Sequence, residues 1–266
     1  METADLYVDI GNTAVDFVLV DGHAISSRKV DVNGGHEIEL AVRSLKEGHS
    51  KVQAFLSSVN KTGTEHVLKS LEWNHLSYEV LSLERMSSYA KEAGYDFPNL
   101  SFLGQDLFCD VVSRPSSSGL IVLDLGTATK ILACDPKGRF LGGFIMPGIP
   151  SFPVMLYQDT DLLGKNPLLL KPRDLAYETQ ECVSSGALNG TASALSGMVA
   201  KIRKEYALPQ AKALLTGGNA SYVEPLLPGF GLSGVEGDRN LVQEGLARIF
   251  RTGDADRLSE PLPSRE

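Results

Sequence analysis

Short apolar runs with an acid one residue before their end, followed by glycine, stand out in the hydrophobic pattern of this chain. The clearest is residues 120–125, in which Asp124 is the only polar residue and after which Gly126 follows. A run of that length bounded by glycine predicts a buried strand. A carboxylate in such a strand is costly unless it faces a metal or a polar site, so we expect Asp124 at the strand end. Apolar segments at 131–134 and 140–145, separated by a turn signal, predict two further strands.

The same design occurs at the start of the chain. A run at 6–10 contains Asp9, a glycine turn follows, and a second apolar run covers 15–20. Segments 9–13 and 124–127 therefore resemble two copies of one hairpin, whose small residues let a ligand approach the backbone. Such a pair predicts a duplicated domain that grips the phosphate chain of a nucleotide between its halves. The alternative is that each segment is an ordinary hairpin with an aspartate at its turn.

The remaining periodicity predicts a layered α/β protein. Further strands are predicted at 26–33, 52–59, 78–83 and 213–215, and helices at 37–47, 64–73, 104–112, 155–163, 179–205 and 241–250. Thr62 or Thr64 is expected to cap the second helix. The loop at 216–219, which contains Gly217, has a size that suits a phosphate or a purine.

A domain boundary is predicted in the serine-rich segment 113–119. It gives an N-terminal domain at 1–115, a C-terminal domain at 116–252, and a polar tail at 253–266 that we expect to be disordered. The long helix carries three glycines roughly on one face, which would let a neighbouring helix or subunit come close: Gly186, Gly190 and Gly197.

The composition argues against nucleic-acid-binding and membrane-spanning classes of protein. A net charge of −8 argues against non-specific nucleic-acid binding, which needs a positive field. The three cysteines are an odd number without paired spacing, which is typical of reduced thiols in a cytosolic protein. No apolar run reaches the roughly 18 residues of a membrane span. We therefore expect a cytoplasmic, globular protein with no membrane or nucleic-acid partner.

Six short motifs extend these hairpins over most of the chain: DIGNT from Asp9, GQDL from Gly104, DLGTAT from Asp124, GGFIMPG from Gly142, TQECVSSG from Thr179 and TGG from Thr216. Their order and spacing resemble those of type III pantothenate kinase, a family of the actin-like phosphotransferase superfamily. The resemblance implies two tandem ribonuclease-H-like domains with a cleft between them and a homodimer. It also implies ATP-dependent phosphorylation of pantothenate, the first step of coenzyme A synthesis, with Mg²⁺ and a monovalent cation, K⁺ or NH₄⁺.

The resemblance also implies roles for individual residues. Asp9 would hold Mg²⁺, Asp106 would be the general base, and Asp124 would bind the monovalent cation. The expected nucleotide contacts are Gly11, Asn12, Thr13, Thr127 and Gly217. The expected substrate contacts are Tyr95, Gly104, Gln105, Leu107 and, from the subunit interface, Thr179. For Thr179 the alternative is a plain N-cap of the long helix. The three acids are expected to converge in the cleft.

Three positions depart from the family pattern. Leu107 stands where the family has a substrate-binding arginine, whose loss could cost about 10–100-fold in substrate affinity. Asp16 stands where a lysine often faces the phosphates, so it is expected to turn to solvent or bind Mg²⁺. Lys130 stands where threonine is usual, and it either supplies positive charge or is solvated.

These departures leave two main hypotheses open. One is a kinase that grips pantothenate differently, and the other is a diverged paralogue that binds a nucleotide or ligand as a regulator. A filament-forming assembly protein is disfavoured because 266 residues leave no room for extra subdomains. A glucokinase-like sugar kinase is disfavoured by the spacing from Asp106 to Asp124 and by the GGFIMPG segment.

Overall fold

Two sheets of five strands each organise the protein. The computed structural model describes residues 3–22, 24–159, 167–259 and 261. These residues divide into two units. The first contains the described residues up to Pro115 together with Asn240–Ser259, and the second contains Ser116–Arg239.

The first sheet begins with a hairpin whose turn is closed by a hydrogen bond from the Gly11 N–H to the Ala14 carbonyl, 2.9 Å long. Its strands are β1 (Thr3–Ile10), β2 (Ala14–Asp21), β3 (Ala24–Asp31), β4 (Lys51–Ser58) and β5 (Ser77–Val80). Their order is β3-β2-β1-β4-β5. The first three strands pair antiparallel, whereas β4 runs parallel to β1 and β5 parallel to β4.

The second sheet repeats this topology. Its strands are β6 (Leu120–Leu125), β7 (Ala128–Cys134), β8 (Phe140–Pro147), β9 (Lys212–Thr216) and β10 (Glu236–Gly237), in the order β8-β7-β6-β9-β10. Again the first three strands are antiparallel and the last two run parallel to the first. Two such sheets are the ribonuclease-H-like duplication of the actin-like ATPase fold, so the predicted α/β fold class is confirmed.

The helices follow in chain order as α1 (Gly35–Lys46), α2 (Lys61–Trp73), α3 (Leu83–Ala93), α4 (Gln105–Ser113), α5 (Ser151–Asp159), α6 (Thr179–Glu205), α7 (Ala220–Val223), α8 (Leu241–Phe250) and α9 (Thr252–Ala255). In the first unit they cover both faces of the sheet. Because side chains alternate along a strand, Leu6, Val8 and Ile10 face one core with α1 and α2. Tyr7 faces the other core, which contains residues of α3, α4 and α8.

In the second unit, the long helix α6 covers one face of the sheet. Its buried residues pack with Ile121, Leu123 and Leu125 of β6 in a single apolar cluster. The opposite side of α6 is exposed, and a Cβ added at Gly186, Gly190 or Gly197 would meet no atom within 4 Å. Among the described residues, no helix is long and apolar enough to span a membrane.

The C-terminal segment differs from the sequence prediction. Helix α8 was assigned to the second domain, but it packs in the first unit, where Leu246, Ala247 and Ile249 join the core of Tyr7 and Phe55. Residues 253–259 are not disordered, because α9 begins at Thr252 and the side chains of Ala255 and Leu258 are fully buried in the same core. Residues 260 and 262–266 lie outside the described residues.

Smaller differences concern helix starts. Asn60, and not Thr62 or Thr64, caps α2, since its side chain accepts a hydrogen bond from the Gly63 N–H. Helix α3 was not predicted. Helix α5 begins four residues before the predicted start at 155, at Ser151, and the predicted part from 160 to 163 lies outside the described residues. All three cysteines are free thiols, as predicted.

Candidate active site

The end of β1 presents Asp9 within a row of polar side chains. Asp9 is in register with Asp16 of β2 and with Ser57 of β4, so the three side chains lie on one face of the sheet. Asp16 is in turn in register with Lys29 of β3, whose Nζ lies 2.6 Å from Asp16 Oδ2. Asp16 therefore carries an ion pair with Lys29 that offsets its negative charge, and this pair is exposed to solvent.

The turn that follows Asp9 is open to a ligand. Asn12 and Thr13 are exposed and Gly11 is half-buried. The Thr13 carbonyl accepts a hydrogen bond from the Val32 N–H, 3.1 Å, which fixes the turn against the end of β3. The arrangement suits the phosphate contacts expected from this segment, because its backbone is held while its polar side chains are accessible.

Helix α4 brings Asp106 to the same region. Gln105 Oε1 accepts a hydrogen bond of 2.8 Å from the Ser58 N–H, which ties the start of α4 to the end of β4. Gly104 precedes the helix, and a Cβ there would collide with the Asp106 carboxylate. The GQDL motif therefore places Asp106 in the first turn of α4, beside the strand that neighbours Asp9. Gln105 has an anchoring role that the sequence did not indicate.

The Cys109 thiol of α4 is fully buried. Burial raises its pKa well above the usual value, and the carboxylates of Asp110, Asp9 and Asp106 raise that pKa further. A carboxylate influences a thiol in this way only at short range. The geometric link between the two acids is the hydrogen bond that ties Gln105 of α4 to Ser58 of β4. Cys109 itself is held as an inert thiol.

Two residues of this region were missed by the sequence analysis. Asp110 is fully buried in α4, and its signal was an acid inside an otherwise apolar segment. Ser57 is fully buried beside Asp9, and its hydroxyl has no hydrogen-bond partner among the described residues. An unsatisfied buried hydroxyl calls for an explanation such as a bound water or ion.

The expected substrate residues of the first unit lie on or near α4. Leu107 is half-buried in its first turn. Tyr95 packs against Phe97, with ring centroids 6.0 Å apart, and Phe97 packs against Phe108 of α4 at 5.1 Å. The aromatic contacts fix Tyr95 relative to the helix that carries Asp106.

The second hairpin, in the other unit, is enclosed by backbone contacts. Asp124 is in register with Thr216 of β9, and the Asn219 N–H donates to the Leu125 carbonyl at 2.9 Å. A Cβ at Gly217 would lie 2.6 Å from the Leu125 carbonyl oxygen, and one at Gly148 would lie 2.7 Å from the Gly126 carbonyl oxygen. The DLGTAT, TGG and GGFIMPG motifs therefore meet at one loop, on which Thr127 is exposed.

Helix α7, which follows this loop, lines a cavity of about 610 Å³ together with Lys171 and Leu226.

Thr179 is the exposed first residue of α6. The residue at the N-cap position is Glu178, which makes no side-chain capping bond, so the interpretation of Thr179 as a plain N-cap is wrong.

The two expected cations fit the described residues differently. No group of three or more His, Cys, Asp or Glu side chains that could hold a metal occurs in the described part of the chain. Mg²⁺ does not need such a cluster, because it is commonly held by one or two carboxylates together with substrate phosphates. Asp9, which lies beside an open turn, suits this kind of binding. Asp124, the expected ligand of the monovalent cation, forms an ion pair with Lys130, with Nζ 2.7 Å from Oδ2.

Comparison with known proteins identifies the family of this chain. A family model described as Type III pantothenate kinase matches residues 5–201. The type III pantothenate kinase of Thermomicrobium roseum is 30% identical over 247 residues, which cover 89% of this chain and 93% of that protein. That of Alkalilimnicola ehrlichii is 28% identical over 254 residues, with 92% and 97% covered.

A solved structure agrees at the level of the fold. A Campylobacter jejuni protein, which its crystal structure names as a conserved Baf family transcriptional activator, aligns with a TM-score of 0.58. Its sequence identity is 18%, and the alignment covers 93% of this chain and 98% of that one. At this identity the likeness concerns the fold alone.

Proposed function

Because the chain belongs to the type III pantothenate kinase family, we propose that it transfers the γ-phosphoryl group of ATP to the hydroxyl group of pantothenate. The product would be 4'-phosphopantothenate, the first intermediate of coenzyme A synthesis. The observation that carries the proposal is the hydrogen bond from the Ser58 N–H to Gln105 Oε1, which ties the first turn of α4, where Asp106 lies, to the strand paired with that of Asp9.

The proposed roles follow from what phosphoryl transfer requires. Catalysis of this reaction depends on positioning and on neutralising phosphate charge. Asp9 would hold Mg²⁺, which when bound neutralises the phosphate oxygens, while Gly11, Asn12 and Thr13 contact the phosphates. Asp106 would accept the proton of the pantothenate hydroxyl. The anchoring of Gln105 to Ser58 supports this role, because it fixes the helix turn that carries Asp106.

Further nucleotide contacts are proposed in the second unit. Thr127 is exposed on the loop that Gly217 and Gly148 enclose, and it would contact ATP. That Asp124 meets Asp9 and Asp106 stays a prediction.

The substrate site differs from the family pattern at Leu107. Tyr95, Gly104 and Gln105 are proposed to contact pantothenate, and Leu107 would contribute apolar contact where an arginine would pair with the carboxylate. We expect weaker pantothenate binding, by about 10–100-fold, than with a charge-assisted pair. The alternative, a regulator without turnover, rests on this residue, whereas the presence of Asp9, Asp106 and Asp124 favours the kinase.

A cytoplasmic homodimer is proposed as the working form. The exposed face of α6 has open space at Gly186, Gly190 and Gly197, so that a second helix could approach its backbone. Thr179 begins the same helix, which is consistent with a substrate contact donated at a subunit interface. Light scattering on the purified protein tests the dimer. A Gly190→Arg variant should be monomeric, and an unchanged mass would contradict this interface.

A coupled assay of ATP consumption with pantothenate and Mg²⁺ tests the activity. Wild type should turn over, and Asp106→Asn should lose about 100-fold or more in kcat while still binding nucleotide. Glu65→Gln, an exposed change on α2, serves as the control that keeps activity. Nucleotide binding without turnover by wild type would instead support the regulator, and full activity of Asp106→Asn would remove Asp106 as the base.

A further inference from the structure

The two hairpin aspartates, Asp9 and Asp124, have cross-strand partners of opposite charge. Asp9 is in register with Asp16, a second carboxylate. Asp124 is in register with Lys130, an ammonium. Since directly opposed residues of an antiparallel pair lie on one face at short distance, the partner sets the charge of each site.

Lys130 and Asp124 form a close and largely buried pair. Lys130 Nζ donates to Asp124 Oδ2 at 2.7 Å. The Lys130 side chain is 18% exposed and that of Asp124 is 13% exposed. Both residues belong to paired strands of one sheet, so the ammonium is positioned by the strand register rather than by a flexible loop.

The other side of the Asp124 carboxylate is also filled. A Cβ at Gly217 would lie 2.7 Å from Asp124 Oδ1, which shows how closely the backbone of the TGG loop approaches this oxygen. On the neighbouring strand, Thr216 is in register with Asp124 and is 5% exposed. Lys130 and the backbone at Gly217 therefore flank the carboxylate on its two oxygens.

A monovalent cation does not fit Asp124 in this arrangement. K⁺ or NH₄⁺ would have to take the carboxylate oxygen to which Lys130 donates, and two positive charges at that distance repel each other strongly in a partly buried site. In the first unit the corresponding row contains two carboxylates, Asp9 and Asp16, and one ammonium, Lys29, whose side chain is 58% exposed. The row of Asp9, Asp16 and Lys29 thus has an excess of negative charge, whereas the charges of Asp124 and Lys130 cancel.

We infer that the Lys130 ammonium permanently replaces the monovalent cation at Asp124, so that this protein needs neither K⁺ nor NH₄⁺. The inference rests on the proposed kinase function. A lysine ammonium is a compact point charge with the same N–H donors as NH₄⁺. Because it is tethered to β7, its effective concentration at the carboxylate is high and independent of the salt in solution.

The test compares wild type, Lys130→Thr and Lys212→Thr in tetramethylammonium chloride and in KCl at constant ionic strength. Lys212 is the matched control, because its Nζ also lies 2.7 Å from a carboxylate of the same sheet, on Glu236, but in an exposed pair. Kinase rate and melting temperature are both measured. Wild type and Lys212→Thr should change their rate by less than about twofold between the two salts, since Lys130 is intact in both.

Lys130→Thr should be slow in tetramethylammonium and recover about tenfold or more in KCl or NH₄Cl, because the cation can then occupy the vacated position. Its melting temperature should rise with KCl, whereas that of wild type should not. A wild-type enzyme that requires K⁺, or a Lys130→Thr variant that K⁺ neither activates nor stabilises, would overturn the inference. If wild type shows no kinase activity in any salt, the proposed function fails, and the melting temperatures still decide the inference about Lys130.

Discussion

Gly245 of α8 packs directly on the backbone of Cys109 in α4. A Cβ added at Gly245 would lie 2.5 Å from the Cys109 Cα, a distance that requires the helices to move apart. Both residues belong to the first unit, and Cys109 is one turn after Asp106. The close approach of the two helices therefore sets the position of the proposed base.

Gly245→Ala should lower the free energy of unfolding by about 1–3 kcal/mol, because the added methyl group overpacks the contact between α4 and α8. Urea denaturation measures this change. Gly253→Ala is the control, since it adds a methyl group to helix α9 of the same unit where no atom lies within 4 Å. It should stabilise the protein by up to about 1 kcal/mol through helix propensity. Equal effects of the two changes would contradict the close packing.

Ser57→Ala should weaken cation binding without lowering the stability of the protein. The Ser57 hydroxyl is buried without a hydrogen-bond partner among the described residues, so its removal should leave the stability of the unliganded protein unchanged or slightly higher. If the hydroxyl orients Asp9 toward a cation, the affinity for Mn²⁺ in the presence of an ATP analogue should fall about 10-fold. Electron paramagnetic resonance measures free Mn²⁺.

Ser70→Ala is the matched control for this experiment. Ser70 is also a buried serine with an unpartnered hydroxyl among the described residues, but it lies on α2, which packs against the other face of the sheet. Its replacement should leave Mn²⁺ binding unchanged. A Ser57→Ala protein that is clearly destabilised, or that binds Mn²⁺ like wild type, would contradict the argument.

The hairpins and the duplication could be predicted from sequence because their signals are local. Asp9 and Asp124 each lie in an apolar run next to a glycine, and strand alternation decides which face each side chain takes. The pairing of Lys130 with Asp124 was not predicted, since it depends on cross-strand register. Helix α3 was missed because only Met86 and Ala90 are buried in it, which leaves little apolar periodicity.

The placement of the C-terminal helix could not be derived from its pattern. An amphipathic helix shows that one face is buried but not which sheet buries it. Gly245 and Glu244 gave no sequence signal of their contacts with Cys109 and Arg114, because those contacts join residues more than a hundred positions apart. Tertiary contacts of this kind decide domain membership.

Gly217→Ala should destabilise the second unit. Gly217 has a φ of +93°, which L side chains rarely adopt, and a Cβ there would lie 2.6 Å from the Leu125 carbonyl oxygen. We expect a loss of about 1–3 kcal/mol in the free energy of unfolding. Gly218→Ala, at the adjacent position with no atom within 4 Å of the added Cβ, should change stability by less than about 1 kcal/mol. Similar losses for both variants in thermal denaturation would argue against the packing of this loop on β6.

Asp5→Asn should reveal the electrostatic cost of a partly buried acid. Burial raises the pKa of Asp5 above 3.8, although Arg251 lowers it and Asp254 raises it further. The folded state thus binds the proton more tightly than the unfolded state, so the stability from protonation is complete below pH 3.8 and is lost as the pH rises through the folded-state pKa. Asparagine cannot ionise. The variant should therefore be more stable than wild type at neutral pH and equal to it in acid, and a difference that is constant with pH would contradict this.

Arg114 and Glu244 form a buried pair that joins the end of α4 to α8. Arg114 Nε and Nη2 donate to the two carboxylate oxygens of Glu244 at 2.8 and 2.6 Å, and the Glu244 side chain is 1% exposed. Glu244→Gln leaves the guanidinium without its charged partner, so we expect a loss of about 3–5 kcal/mol in the free energy of unfolding. Glu205→Gln is the control. It removes the acid of an exposed pair with Lys201 and should cost less than about 1 kcal/mol. Guanidinium denaturation measures both losses in the free energy of unfolding. Equally small losses for the two variants would contradict the stabilising role of the buried pair.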